Sequence, residues 1–405
     1  MKPLVLLGLA VLLTAFAAGC SAQARKARHQ ERADQYFQAG EFTRAEVEYL
    51  NVLKLDPEDF HAISRLGIIY HDNGRPARAY PYLMKAAELD PNDLAVRLRV
   101  GYLYLLQGKT REARADAYAI LDCDKANTDA SLLLAQSLRT ATDIKEARSR
   151  LESLLQTGET AALRLGLGAV LLREDDPTGA IAAFQRALVL DPKSSAAHSV
   201  LGAFYLANND LTNAASAFRT AAELEPARPV RRLEYAEFKL RTGATEEARQ
   251  ILVQLTQSVP EYIPGWIKLA QIALAQKQLA QCESLIGKAL ARDANNYDAL
   301  SLRGALRLAQ GDTDTAITEL ERLNTIYDGS AQARYNLALA YYARGDTAKA
   351  LKNVTDAVTV SPHFDEAVLM QAQLNLRREN AAEAIMALND LIRRRPQLTQ
   401  AHLLL

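Results

Sequence analysis

The chain has 405 residues, 24% of them charged and 49% hydrophobic, which is length enough for two or three ordinary domains. Its 48 basic side chains meet 48 acidic ones, so no basic excess favours nucleic acid, and no nucleic-acid partner is expected.

The first twenty residues differ in kind from the rest. Lys2 supplies a positive start, Leu4 to Phe16 is apolar apart from Thr14, and Ala17-Ala18-Gly19-Cys20 follows. Residues 1–19 therefore read as a secretion signal, shorter than the roughly 20 residues a membrane-spanning helix needs. Small residues ahead of a cysteine resemble the lipobox of bacterial lipoproteins, although Ala17 stands where that family usually has Leu. The resemblance implies lipidation of Cys20 and, with Ser21 rather than Asp after it, a place on the outer membrane facing the periplasm. Several acyl chains, at about 0.8 kcal/mol per buried CH₂, make such anchoring effectively permanent. A plain signal peptide cleaved after an A-x-A-like site is the alternative. Residues 20–30 are then a lipidated N-terminus and a polar linker. Its Arg25, Lys26, Arg28 and His29 suit either anionic headgroups or a solvated tether.

From residue 31 to 396 the chain repeats itself, and Phe60 to Pro91 is one complete unit. Ile63, Leu66 and Tyr70 recur at three- and four-residue intervals, so they share one face of a first helix. Asn73-Gly74 ends that helix, because glycine enters the left-handed conformation at little cost. Pro76 restarts the chain where a missing N–H is harmless, and Ala79, Leu83 and Ala86 line a second helix that Asp90-Pro91 stops. The small residue at position 8 of the unit returns as Ala33, Gly67, Gly101, Ala135, Gly168, Gly202, Ala236, Ala270, Gly304, Ala338 and Ala372. Position 20 is alanine from Ala45 to Ala384, with Cys282 the one exception. A single deletion between Ala147 and Ala180 is the only slip, and seven of the 13 prolines close a unit. These are points where the helices of a hairpin cross closely, and overpacking each one costs about 1–3 kcal/mol.

This spacing resembles the tetratricopeptide repeat, whose period is about 34 residues. The resemblance implies an all-α fold, a right-handed α-solenoid superhelix of about eleven helix-turn-helix repeats in which each touches only its neighbours. Repeat 4 departs from the pattern, with Thr142-Asp143 at the turn and Thr157-Gly158 in place of the closing proline, so a bend or looser packing is expected there. Pro81 falls inside a second helix, where a local kink is expected. Trp266 occupies a position that the family gives to Trp and reads as repeat core. Residues 397–405 begin an incomplete twelfth repeat whose apolar ending suggests a fragment of a longer array, or a last turn packed on a partner.

Little in the chain points to catalysis. The histidines (His29, His61, His71, His198, His363 and His402) are scattered, and neither metal nor cofactor is expected. There is no phosphate-binding GxxxxGK[ST] loop, no GxGxxG after a strand and no G-x-S-x-G elbow. Cys123 and Cys282 lie in repeats 3 and 8, so a bond between them conflicts with neighbour-only contacts.

The resemblance implies instead a groove lined by first helices at positions 2, 5, 9 and 12. Position 5 supplies Leu98, Leu132, Leu165, Leu233, Ile267, Tyr335 and Leu369. Position 12 supplies Leu105, Leu172, Leu206, Leu240, Leu274, Leu308, Tyr342 and Leu376, and Tyr102 stands at position 9. Such an apolar seam suits an amphipathic helix or an extended apolar peptide; packing between adjacent first helices is the other use for it. No unit carries the Lys and Asn of the family's carboxylate clamp, nor the Asn ladder of its glycosyltransferase-type arrays. The expectation is a non-enzymatic scaffold that holds a protein or peptide partner at the bacterial envelope, in exopolysaccharide export, outer-membrane assembly, or pilus or secretin biogenesis. The alternative is the recognition arm of an enzyme, for instance a glycan-modifying one, with its catalytic domain beyond residue 405.

Overall fold

The computed structural model describes residues 22–226 and 228–405, and among these the chain is helical with no strand. The leader and Cys20 lie outside the described residues. Repeat 1 pairs α1 (22–38) with α2 (Phe42–Leu55). Repeats 2 and 3 pair α3 (Phe60–Asp72) with α4 (Pro76–Leu89), and α5 (Leu94–Leu106) with α6 (Thr110–Cys123). Repeats 4 and 5 are α7 (Thr128–Ser137) with α8 (Ala141–Thr157), and α9 (Ala161–Arg173) with α10 (Pro177–Leu190). Repeats 6 and 7 are α11 (Ser195–Ala207) with α12 (Leu211–Leu224), and α13 (Pro229–Arg241) with α14 (Thr245–Ser258). Next come α15 (Ile263–Ala275) and α16 (Leu279–Arg292), α17 (Tyr297–Ala309) and α18 (Thr313–Ile326), and α19 (Ala331–Arg344) and α20 (Thr347–Val360). The last pair is α21 (Asp365–Arg377) and α22 (Ala381–Arg394), followed by the single α23 (Thr399–Leu404). Eleven pairs and the start of a twelfth are what the periodicity leads one to expect. The chain divides into two compact units, Met1–Pro264 and Gly265–Leu405.

The hairpins close through the two small-residue positions. Every position-20 residue, from Ala45 to Ala384 and including Cys282, is wholly buried. The position-8 glycines in turn lie close under the side chain at position 24: a Cβ on Gly67 would lie 2.7 Å from Leu83 Cδ2, and one on Gly304 would lie 2.6 Å from Leu320 Cδ2. The turn between the helices uses one backbone device. Residue 15 of every unit but the fourth takes a positive φ, as glycine at Gly40, Gly74, Gly108, Gly243, Gly311 and Gly345, and as Asp175, Asn209, Lys277 and Glu379 elsewhere. Most first helices are capped by the side chain of the residue before them, as when Asp59 accepts from the Ala62 N–H and Asp93 from the Val96 N–H, each at 2.8 Å, whereas Arg228 and Phe364 supply no such bond.

Two local expectations are revised. Repeat 4 is not loosely packed: Leu133, Leu134, Leu138, Ala147 and Leu151 are all buried. Without a glycine at the turn, its first helix ends at Ser137, and Thr140 and Asp143 form a capping box that starts α8 at Ala141. The linker is also shorter than residues 20–30. The chain is helical from Ala22, and Lys26 reaches both Asp56 and Asp59 at 2.6 Å while His29 bonds Glu48. These residues belong to repeat 1 and are not a solvated tether. Helix α4 runs through Pro81 to Leu89.

Candidate functional site

First helices of successive repeats pack side by side in both units, and the seam residues divide by how far that packing covers them. Leu98, Leu165 and Ile267 are buried, so they shape the face from beneath and are not part of a surface a ligand touches. Leu172 is exposed. The remaining twelve, among them Leu105, Leu132, Leu206, Leu233, Leu240, Leu274, Leu308 and Leu376, are half-buried. Each is thus partly covered by packing and partly open.

In unit Gly265–Leu405 the face opens into a pocket of about 220 Å³ between α19, α21 and α23. On α19, Tyr335, Leu339 and Tyr342 follow at four- and three-residue spacing and thus share one side of the helix. Leu369 and Gln373 of α21 face them, and Gln400 of α23 completes the wall. Tyr335 is held edge-on by Phe364 with centroids 5.0 Å apart, and the Arg377 guanidinium lies 5.1 Å over the Tyr342 ring. The pocket is below the ~300 Å³ at which cavities begin to enclose a small molecule. It is the size for one side chain of a peptide.

In unit Met1–Pro264 the corresponding face is occupied by the protein's own polar groups. Tyr102 donates to the Asp129 carbonyl at 3.2 Å, and Arg228, at the start of repeat 7, reaches the Asp129 carboxylate at 2.7 Å. Nearby, Arg231 is buried between Glu234 at 3.0 Å and Glu225 at 3.8 Å. Arg99 and His71 both bond Asp72; against the burial that opposes them, they hold its carboxyl at about 2. Burial raises the Tyr102 hydroxyl well above its ordinary value, with the Asp129 charge adding to it. No sequence pattern announced this cluster, because Asp129 and Arg228 are separated by almost three repeats.

The other singled-out residues are structural in position. Trp266 is 9% exposed and lies under Lys288 and Arg292, which are one turn apart on α16. His61 bonds Asp34, at 2.6 Å, and Asp34 also accepts from Tyr49, a link joining repeats 1 and 2. Among the described residues no group of three or more potential ligands gathers to hold a metal ion. Cys282 is buried, which raises its thiol above the ordinary value, while Cys123 is exposed. No described helix is long and apolar enough to cross a membrane.

The tetratricopeptide repeat profiles match residues 31–93, 132–195, 171–230 and 335–399, and a second profile of the same description matches 205–266. Tetratricopeptide repeat protein 21B of Homo sapiens is 30% identical over 105 residues, 25% of this chain and 8% of that protein's length. Yeast Tom70 shares the fold with a TM-score of 0.54 and 17% identity, over 91% of each chain. A thermophilic TPR protein of Thermus thermophilus matches 45% of this chain and 100% of its own, with 20% identity and a TM-score of 0.41. Proteins built from this repeat generally bind other proteins or peptides, and no catalytic family is indicated. The matched profiles together cover more than half of the sequence, and the chain belongs to the tetratricopeptide repeat family.

Proposed function

We infer that the protein is a non-catalytic scaffold, anchored to the bacterial cell envelope by a lipid on Cys20 and holding a peptide segment of a partner protein along its first helices. The observation that carries the binding half is the pocket lined by Tyr335, Leu339, Tyr342 and Leu369. It offers apolar and aromatic walls to one anchoring side chain, with the Gln373 and Gln400 amides and the Glu366 carboxylate as the polar groups of its lining for the partner's backbone. The anchoring half rests on the leader, which ends in Ala17-Ala18-Gly19-Cys20. Helix α1 is already formed at Ala22, two residues after Cys20, so a lipid there would hold repeat 1 close to the headgroups of the outer membrane's periplasmic leaflet. Exopolysaccharide export, outer-membrane assembly and pilus or secretin biogenesis are the processes this arrangement suits.

The test has two arms. A photo-crosslinking residue at Tyr342 is expected to capture one recurrent protein in intact cells, and the same residue at the exposed Met386 of α22 is expected to capture none. Equal capture from both positions would remove the pocket from the reading. Metabolic labelling with an alkyne fatty acid is expected to mark the wild type and not Cys20→Ala, which should move to the soluble fraction. Unlabelled wild type would overturn the anchor and leave the binding half standing.

A further inference from the structure

A solenoid repeat ordinarily packs on its neighbours alone, and the spacing of the repeats leads one to expect the same of the whole chain. In unit Met1–Pro264 the rule fails at two places, and most extensively at the first. The turn after α3 meets the end of repeat 7 and the first residues of α15. Arg75 Nη2 donates to Glu261 at 2.8 Å, across 186 residues of sequence, and Arg75 Nη1 reaches Glu46 at 3.3 Å. The Ile263 N–H donates to the Asn73 carbonyl at 3.3 Å. Gly74 lies so close to Pro264 that a Cβ on it would be 2.7 Å from Pro264 Cδ. Both turn side chains are out of solvent, with Asn73 3% and Arg75 4% exposed.

Three features mark this as a built contact. Ile263 is the first residue of α15, so its N–H has no acceptor within its own helix, and Asn73 supplies one. The guanidinium of Arg75 is buried and flanked by two carboxylates, the arrangement a buried cation requires. Arg75 also stands where other repeats place Lys109, Asp176, Asp210, Ala244, Gln278, Asp312, Asp346 or Asn380. A second strut, Arg228 to Asp129, joins repeat 4 to the start of repeat 7 within the same unit.

We propose that the Asn73–Arg75 turn is a latch that closes repeats 2 to 7 into a ring, and that releasing it gives a partner access to the first-helix face around Tyr102 and Leu132. The second half of this rests on first helices being the partner-binding face. The first half does not. While the ring is closed, the polar groups with which that face would hold a peptide are bonded to one another.

Hydrogen exchange on the whole chain tests the latch at the Ile263 amide, whose protection depends on Asn73. Wild type is expected to protect this amide, and Glu261→Arg to lose that protection by about tenfold or more. The double variant Arg75→Glu with Glu261→Arg is expected to recover it, because the arginine at 261 then faces carboxylates at 75 and 46. An unprotected Ile263 amide in wild type, or a Glu261→Arg variant with unchanged exchange, overturns the closed ring. If circular dichroism shows that Glu261→Arg has lost helix, Glu261→Gln reads the same amide with a smaller expected loss. Access is read separately, from the rate at which maleimide modifies Leu132→Cys, resolved by mass spectrometry from Cys123. It should rise several-fold with Glu261→Arg and return in the double variant. An unchanged rate beside a deprotected Ile263 overturns the access half and leaves the latch.

Discussion

The ring of Phe184 lies against the Cα of Gly168, so close that a Cβ on Gly168 would collide with the ring's edge. This one contact shows how the hairpins of the array are sized. In this unit the Phe184 ring at position 24 leaves position 8 bare, whereas Tyr49 of repeat 1 is accommodated beside Ala33; a rigid ring yields the space less readily than the flexible end of a leucine. Gly168→Ala is therefore expected to destabilise the chain by about 1–3 kcal/mol, despite alanine's better helix propensity. Gly287, exposed on α16 with nothing within 4 Å of its would-be Cβ, is the control. There the same change should stabilise by roughly 0.5–1 kcal/mol. Urea unfolding of the two variants beside wild type reads both signs.

Lys277 and Glu379 sit at the turn position that most repeats give to glycine, with φ of 58° and 62°. A side chain in this left-handed region carries a steric cost of about 1–2 kcal/mol that glycine avoids. Lys277→Gly and Glu379→Gly are each expected to raise stability by about 1 kcal/mol, seen as a higher urea midpoint. Gly311→Lys at the equivalent turn should lower it by a similar amount.

Asp116 is the carboxylate most at odds with its surroundings. Burial pushes it up to about 6, with Arg97 at 3.9 Å acting only partly against this. The folded chain thus holds the proton more tightly than the unfolded chain, where an aspartate titrates near 3.9. The contribution of this group is most favourable below about pH 4, is lost as pH rises to about 6, and is constant above that. Asp116→Asn should accordingly be more stable than wild type at pH 7 by on the order of 2 kcal/mol, with the difference vanishing at about pH 4. Unfolding curves at the two pH values decide it.

Thr140 caps α8 through the Asp143 N–H at 3.1 Å, and Asp143 accepts in return from the Thr140 N–H at 3.1 Å. Replacing the hydroxyl strips one side of this box. Thr140→Ala is expected to cost about 1 kcal/mol, and to speed hydrogen exchange at residues 141–143 before other parts of repeat 4 respond.

The helix pairs, their crossing points and their turns were legible because each is decided within about 34 residues. A glycine or alanine at position 8, an alanine at position 20 and a left-handed residue at position 15 act inside one hairpin, so their recurrence reports the hairpin directly. The capping box of repeat 4 was equally local, as Thr140-x-x-Asp143, and could have been read in place of a missing glycine. The early start of α1 was not, because Lys26 is fixed by Asp56 and Asp59 of the next turn of the array. The state of the first-helix face lay further out of reach. Whether Leu98 is covered while Leu172 is open, and whether Arg75 finds Glu261, depends on small rotations between successive repeats that add up along the stack. No single repeat encodes that sum. The sequence by itself determined what each hairpin is; only the tertiary structure decided which faces the stacked hairpins leave free, because that is set by an accumulated geometry and not by any local pattern.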